Sequence, residues 1–264
     1  MILQAGRSLL DNLEVLIGKR DQLTPPRRLV QSIGGDFRQA GEEFFQHFVK
    51  LGELKPNTRI LDVGCGCGRM AVPLTRYLSP EGGYWGFDIV EKNVRWCQKN
   101  IEPKYRNFHF LVADVYNKNY RPKGRYKAAE YRFPYQDAFF DLVSLTSVFT
   151  HMLTADMQNY LREISRVLKP GGRALMTFFL LKEESKGLLG QGLGKVKFPY
   201  PRQDCMVSEQ EFPETAVAFE ESFIRQNCAA RELEIVEPIR YGNWCGRKQW
   251  LSFQDIVVAE KKKG

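Results

Sequence analysis

The sequence predicts an α/β fold built on a mostly parallel, seven-stranded sheet whose last strand runs antiparallel. Three observations carry that prediction. From residue 59 to residue 181, short apolar runs rich in β-branched and aromatic residues alternate with helical stretches, and strands joined through helices pair in parallel with right-handed crossovers. The first three of these runs each end on or beside an aspartate: Asp62, Asp88 and Asp114. The last two runs, 233–239 and 250–259, are separated by Tyr241-Gly-Asn-Trp-Cys-Gly-Arg247, a connection short enough only for an antiparallel hairpin.

Residues 1–55 read as a helical cover ahead of the sheet. Leu9, Leu10, Leu13, Leu16 and Ile17 recur at helical spacing. After Pro25-Pro26 and Gly34-Gly35-Asp36-Phe37 comes a second amphipathic stretch with Phe44, Phe45, Phe48 and Leu51. The three phenylalanines are expected in the core, and 34–37 as a hinge or ligand-touching turn. Ile60, Leu61 and Val63 form a brief strand followed at once by Gly64, Gly66 and Gly68. That is a buried parallel strand entering a turn where backbone can approach a ligand closely. A helix over 70–78 follows, with its N-terminus facing that ligand. Strands are expected over 83–87, 108–113, 139–146 and 173–181, and helices over 91–100 and 155–168. Thr154 is the expected cap of the second of these helices, and Pro170-Gly171-Gly172 its stop. A helix over 214–230 precedes the hairpin. Two segments break the rhythm: 115–138, rich in Tyr, Lys and Arg, and 182–213, glycine-rich and then Phe198-Pro-Tyr-Pro201. Loops that long in a compact domain are usually functional or disordered.

The composition sets bounds. At 264 residues the chain can bury a full core, and 43% hydrophobic with 27% charged residues is an ordinary globular balance. No apolar run approaches the roughly 18 residues of a membrane span. Asp11 and Glu14 interrupt the apolar pattern of 1–20 and no small-residue cleavage site follows, so no secretory signal is read and the cytosol is the expected compartment. Cys65, Cys67, Cys97, Cys205, Cys228 and Cys245 are scattered without C-x-x-C pairs. No metal site is expected, and Cys65 and Cys67 read as small residues of the glycine turn. The net charge of +8 admits nucleic acid, an anionic membrane surface or a phosphorylated substrate, and part of it lies in the tail Lys261-Lys-Lys263.

In an open α/β sheet, ligands bind beyond the carboxyl ends of the strands. A core has no use for three carboxylates there, since burying unpaired charge is costly. They occur with Leu61-Asp-Val-Gly-Cys-Gly-Cys-Gly68, Gly86-Phe-Asp88, Ala113-Asp114, Phe140-Asp-Leu-Val143 and Leu168-Lys-Pro-Gly-Gly172. In this order the chain resembles the class I S-adenosylmethionine (SAM)-dependent methyltransferases, over about 59–177 and again at the final hairpin. The resemblance implies a Rossmann-like sheet, a methyltransferase domain over 56–264 behind the 1–55 cover, a substrate cap inserted at 182–213, and SAM as cofactor. By the family pattern Asp88 accepts both ribose hydroxyls and Asp114 receives the adenine amino group, with Ile89 and Val115 flanking the ring. Gly64 and Gly66 back the methionine portion, Asp62 orders the loop or its waters, and Gly68 and Ser147 complete the expected cofactor site. A dinucleotide-binding Rossmann enzyme is the nearest competitor. Its G-x-G-x-x-G places the third glycine where this chain has Arg69, and its sheet usually stays parallel throughout.

Ser147-Val-Phe-Thr-His-Met152 resembles the segment after the fourth strand in small-molecule and bacterial surface-sugar methyltransferases. His151 is the one histidine of three at this edge, and it reads as a general base for a hydroxyl or amine or as a residue that only orients the loop. His47 and His109 read as structural. Substrate contacts are expected from 182–213 and from the Tyr241 turn, with Trp244 and Arg247 as candidates for stacking and anion binding. The predicted activity is methyl transfer to O or N of a small molecule, a sugar or natural-product intermediate. An RNA or protein methyltransferase using the basic, aromatic loop 115–138 is the alternative enzyme, and a SAM-binding module without turnover the alternative from another class.

Overall fold

The computed structural model describes residues 21–31 and 33–263, together with Glu14 and Ile17. The helical pattern of Leu9, Leu10, Leu13 and Leu16 lies outside the described residues, and Ile17 sits in a turn, 56% exposed. The strands are β1 (Arg59–Val63), β2 (Gly83–Asp88), β3 (Phe108–Val112), β4 (Phe140–Leu145), β5 (Leu168–Phe178), β6 (Leu180–Leu181), β7 (Tyr200–Pro201), β8 (Cys205–Val207), β9 (Val217–Glu220), β10 (Leu233–Ile235) and β11 (Asp255–Lys261). The described helices are α1 (Arg27–Gln31), α2 (Phe37–Lys50), α3 (Ala71–Leu74), α4 (Glu91–Asn100), α5 (Thr154–Val167), α6 (Glu183–Gly190) and α7 (Glu221–Ala229). One sheet has the order β10-β11-β5-β4-β1-β2-β3, and a second, smaller one β6-β9-β8-β7. The α/β prediction holds, including the single antiparallel strand: β11 runs against both β5 and β10.

The chain forms two compact units, one ending at Ala113 except for Leu51–Glu53, the other containing those three residues and everything from Asp114 onward. In the first unit, β1, β2 and β3 pair in parallel, with Asp62 opposite Gly86 and Asp88 opposite Val112. Asp36 Oδ1 accepts the Gln39 amide at 2.7 Å and so caps α2. That helix buries Phe37, Phe44 and Phe48, the last completely, as its helical spacing requires. Phe45 is half-buried against Tyr77 and Arg76. Leu29, Phe37 and Cys67 form a cluster joined by Val30, Ile33, Val72 and Trp96.

The second unit is built around α5, which buries Met157, Tyr160, Leu161, Ile164 and Val167 along one face. Its polar residues organise the loop ahead of β4. Asn159 Nδ2 donates to the carbonyls of Ala128 and Tyr131. Arg166 donates to Phe133 and Tyr135 carbonyls and pairs with Glu163 and Asp137. Phe133 is 1% exposed and Tyr131 8%, so part of the aromatic content of 115–138 is core.

Several boundaries differ from expectation. The helix over 70–78 shrinks to α3, four residues followed by turns. Thr75 Oγ1 donates to Val72 O at 2.7 Å, and such local bonds compete with helix continuation. Thr154 is already helical and caps nothing with its side chain. The strand over 173–181 starts earlier, at Leu168, takes the Pro-Gly-Gly element as an irregularity, and stops at Phe178. Leu180–Leu181 belong to the second sheet. The stretch 182–213 is ordered, containing α6, β7 and β8, and the helix over 214–230 divides into β9 and α7. The two final strands are shorter than their apolar runs, so 19 residues, 236–254, connect them.

Candidate functional site

In the first unit, β1 runs directly into the glycine turn. The amides of Gly64 and Cys65 both donate to Phe87 O of β2, at 2.8 and 3.1 Å. Gly66 adopts a φ of 53°, open to glycine at little cost, and its amide donates to Asp88 Oδ2 at 2.9 Å. Val90 N–H donates to the other oxygen, Oδ1, at 2.7 Å. Burial raises the Asp88 carboxyl above the ordinary range, opposed by the amides of Val90, Gly66 and Ile89. Asp88 and Ile89 are both partly exposed, and a carboxylate has about four acceptor positions, so the three amides leave about one of them unused. Backbone amides thus hold the Asp88 carboxylate in place at the end of β2.

Gly68 and Asp62 turn inward instead. A Cβ on Gly68, whose φ is 81°, would stand 2.9 Å from Ile101 Cδ1 and 3.1 Å from Cys97 Sγ, so its smallness serves packing. Asp62 is 2% exposed and accepts the Tyr84 hydroxyl at 2.6 Å. Tyr84 was legible only as a strand residue, although it faces the same side of the sheet as Asp62. The turn at 34–37 does lie beside the glycine loop: Arg69 donates to the carbonyls of Ile33 and Gly34. Cys65, Cys67 and Cys97 are buried and free. Burial pushes all three thiols up, that of Cys67 to about 12, so they are inert packing.

In the second unit, Asp114 follows β3 and is 39% exposed at its side chain. Arg121 reaches it at 3.2 Å and Arg125 at 3.9 Å, and its carbonyl accepts the amides of Arg125 and Tyr126. Val115, 2% exposed, bridges to Tyr126. The segment 114–126 is therefore closed on itself, and Gly124 lets it close: a Cβ there would stand 2.3 Å from Tyr116 N. Arg121 was a missed residue, hidden in the sequence among many other loop cations.

Beyond β4, Ser147 takes a φ of 57°, uncommon outside glycine and a sign of a held conformation. Its amide donates to Thr177 Oγ1 at 2.8 Å and its hydroxyl to Gln254 Oε1 at 3.0 Å. The hydroxyls of Thr146 and Thr150 are buried without a hydrogen-bond partner, leaving unspent polar capacity at this strand end. His151 Nδ1 lies 3.0 Å from Glu214 O. A carbonyl only accepts, so Nδ1 carries a hydrogen, and in the neutral ring the lone pair is on Nε2. Glu214 itself accepts from Asn117 Nδ2 at 3.0 Å. Burial, then nearby Asp156, raises its carboxyl. Sequence placed Glu214 in a helix and gave it no role.

A methyltransferase-domain family model matches residues 54–200, more than half of the chain. The chain belongs to that family. S-adenosylmethionine is the cofactor of this family of methyltransferases, and Asp88 fits it: amides fix both oxygens, and one acceptor position is left for a hydroxyl. The methyltransferase domain is 31% identical over 135 residues to 27-O-demethylrifamycin SV methyltransferase of Amycolatopsis mediterranei, covering 51% of this chain and 43% of that protein. It is 30% identical over 119 residues to a tRNA N(3)-cytidine methyltransferase of Gallus gallus, covering 45% of this chain and 29% of that one. The chain thus spans less than half the length of the curated relatives it matches. Among solved structures, a SAM-dependent methyltransferase from Methanosarcina mazei aligns with a TM-score of 0.55 at 20% identity, covering 82% of this chain and 98% of that one, a likeness of fold.

Two expected substrate contacts of the methyltransferase are corrected. Trp244 is fully buried, packed on Phe179 and Phe198, with Nε1 donating to Asp255 at 2.8 Å. It cannot stack on a substrate without leaving the core. The Arg247 side chain is 9% exposed and pairs with Glu184 at 2.9 Å while donating to Gly242 O. That guanidinium is spent on holding its own turn. His47 is buried against Phe44 and Glu43, and His109 lies against Trp85. No described helix is long and apolar enough to cross a membrane.

Proposed function

We propose that this methyltransferase transfers a methyl group to an oxygen or nitrogen of a small-molecule acceptor, with His151 as the proton acceptor. The observation that carries the reading is the hydrogen bond from His151 Nδ1 to Glu214 O, which leaves Nε2 as the basic atom. When bound, S-adenosylmethionine supplies a methyl group already activated on a sulfonium sulfur. The chain's own work is alignment, exclusion of water and removal of one proton. Alignment contributes ~7–11 kcal/mol in favourable cases, and a base roughly 10²–10⁴-fold.

In this reading Asp88 receives the ribose hydroxyls and Ile89 and Val115 flank the adenine. Gly64 and Gly66 back the methionine portion, and Asp62, Gly68 and Ser147 hold the surrounding backbone in place. Asp114 receives the adenine amino group, for which the Arg121 pair has to yield or share. Residues 1–55 act as a cover and 182–213 as the substrate cap of a domain over 56–264, in the cytosol. A small acceptor is favoured over RNA because the cations of 115–138 are largely engaged. Arg121 and Arg125 face Asp114, Arg132 faces Asp137, and Lys118 lies over Phe212 at 4.2 Å. Methyl-labelled SAM incubated with a metabolite extract and, separately, with total RNA tests this. Label should move into the metabolite fraction; labelling of RNA alone would overturn the small-molecule reading.

A further inference from the structure

A concavity in the second unit is lined by none of the cofactor or proton-transfer residues assigned above, although Glu184, Leu188 and Leu193 belong to the 182–213 segment. It is a pocket of about 660 Å³ between α6 and the connection from β10 to β11, within the range of small-molecule sites, ~300–1,000 Å³. Leu188, Leu193, Trp250 and Leu251 supply its apolar wall, with the ring of Tyr241. Three of these are conspicuously exposed: Trp250 at 55%, Leu193 at 51% and Leu251 at 44%. Single exposed apolar residues are ordinary, but a group lining one concavity marks a binding surface.

The wall stands on a fixed base. Gly246 packs so tightly on Leu193 that a Cβ would stand 2.5 Å from Leu193 O. The Lys195 amide donates to Trp244 O at 2.8 Å, and Trp244 is itself pinned by Asp255. The charge in the wall is one-sided. Arg247 and Glu184 neutralise each other, which leaves Arg240 and Lys248 in the lining. Arg240 is drawn partly towards Glu237, whereas Lys248 is exposed and forms no ion pair among the described residues. Lys195 Nζ adds a third cation, 6.0 Å from the centroids of Trp250 and Phe253.

We propose that this pocket binds a flat aromatic carboxylate, its ring against Trp250 and Leu251 and its anionic group towards Lys248 and Arg240. Aromatic faces and aliphatic walls take the ring, and the cations discriminate the acid from a neutral ring of the same shape. The proposal does not depend on methyl transfer.

Displacement of anilinonaphthalene sulfonate fluorescence from the full chain provides the test, with naphthoate and its neutral analogue naphthamide as competitors. Naphthoate should displace the dye at one saturable site at least fivefold better than naphthamide. Trp250→Ala should weaken both competitors at least fivefold. Lys248→Glu should weaken naphthoate at least threefold and leave naphthamide unchanged. Both side chains are exposed, so thermal unfolding should match the unsubstituted protein. Equal affinity for the two competitors, or binding untouched by either variant, would overturn the proposal. So would loss of naphthoate binding in Asp88→Ala with Trp250→Ala unaffected, which would move the ligand to the cofactor residues.

Discussion

Asp255 offers the sharpest energetic test of the second unit. It is 0% exposed, and three N–H groups point at it: Gly242 at 2.6 Å on one oxygen, Leu180 at 2.7 Å and Trp244 Nε1 at 2.8 Å on the other. It therefore ties the start of β11 to the second sheet and to the turn beneath the pocket. Loss of hydration nevertheless outweighs these donors and the nearby Arg247, and carries the carboxyl from 3.8 up to about 6. Between those values the folded protein keeps a proton that the unfolded chain has released. The associated stability is complete below the unfolded value and is lost as pH rises through the folded one. A rise from 3.8 to about 6 corresponds to about 3 kcal/mol, at ~1.4 kcal/mol per tenfold. Asn has nearly the same shape and does not ionise, so Asp255→Asn removes this pH-dependent component. Its NH2 group also faces an N–H donor it cannot accept from, a cost that does not vary with pH. In urea unfolding, the stability of the unsubstituted protein minus that of the variant should fall by ~2–3 kcal/mol between about pH 4 and pH 7. Taking the difference cancels the other carboxylates. A gap that stays flat or widens with pH would refute the reasoning, because the three donors would then outweigh burial.

Other substitutions separate the roles assigned above. His151→Ala should leave SAM affinity intact, lower turnover at least ~100-fold and change the shape of the pH-rate profile; a modest loss with an unchanged profile would make His151 a positioning residue. Asp88→Ala should weaken SAM by ~1–3 kcal/mol through loss of buried hydrogen bonds, measured by calorimetry; unchanged affinity in a folded protein would remove Asp88 from the site. Gly68→Ala should cost ~1–3 kcal/mol of stability by overpacking against Ile101 and Cys97, read from urea midpoints; full stability with weakened SAM would make it a ligand-contact glycine instead.

Where one residue repeats a strong local constraint, the sequence was readable. The run of Ile60, Leu61 and Val63 into glycines, and the helix from Glu91 to Asn100, stand where their patterns put them. The second sheet was not readable, because its strands are two to four residues long, shorter than any period that hydrophobicity can display. Val217–Glu220 sits inside a stretch that also satisfies helical spacing, and only its pairing with β6 and β8 decides it. At the site, Asp88 was legible because it ends a strand beside glycines. The partners that define how the other residues act, Tyr84 for Asp62, Arg121 for Asp114 and Glu214 for His151, are set by tertiary contacts. Trp244 and Arg247 were misread for the same reason, since a turn residue's burial is invisible in a linear pattern.

Titration calorimetry of the unsubstituted protein with SAM and with NAD addresses the central claim most directly. The glycine turn joined to Asp88, within a methyltransferase-family chain, predicts saturable one-to-one binding of SAM and no heat from NAD. Saturable NAD binding with no heat from SAM would contradict the account.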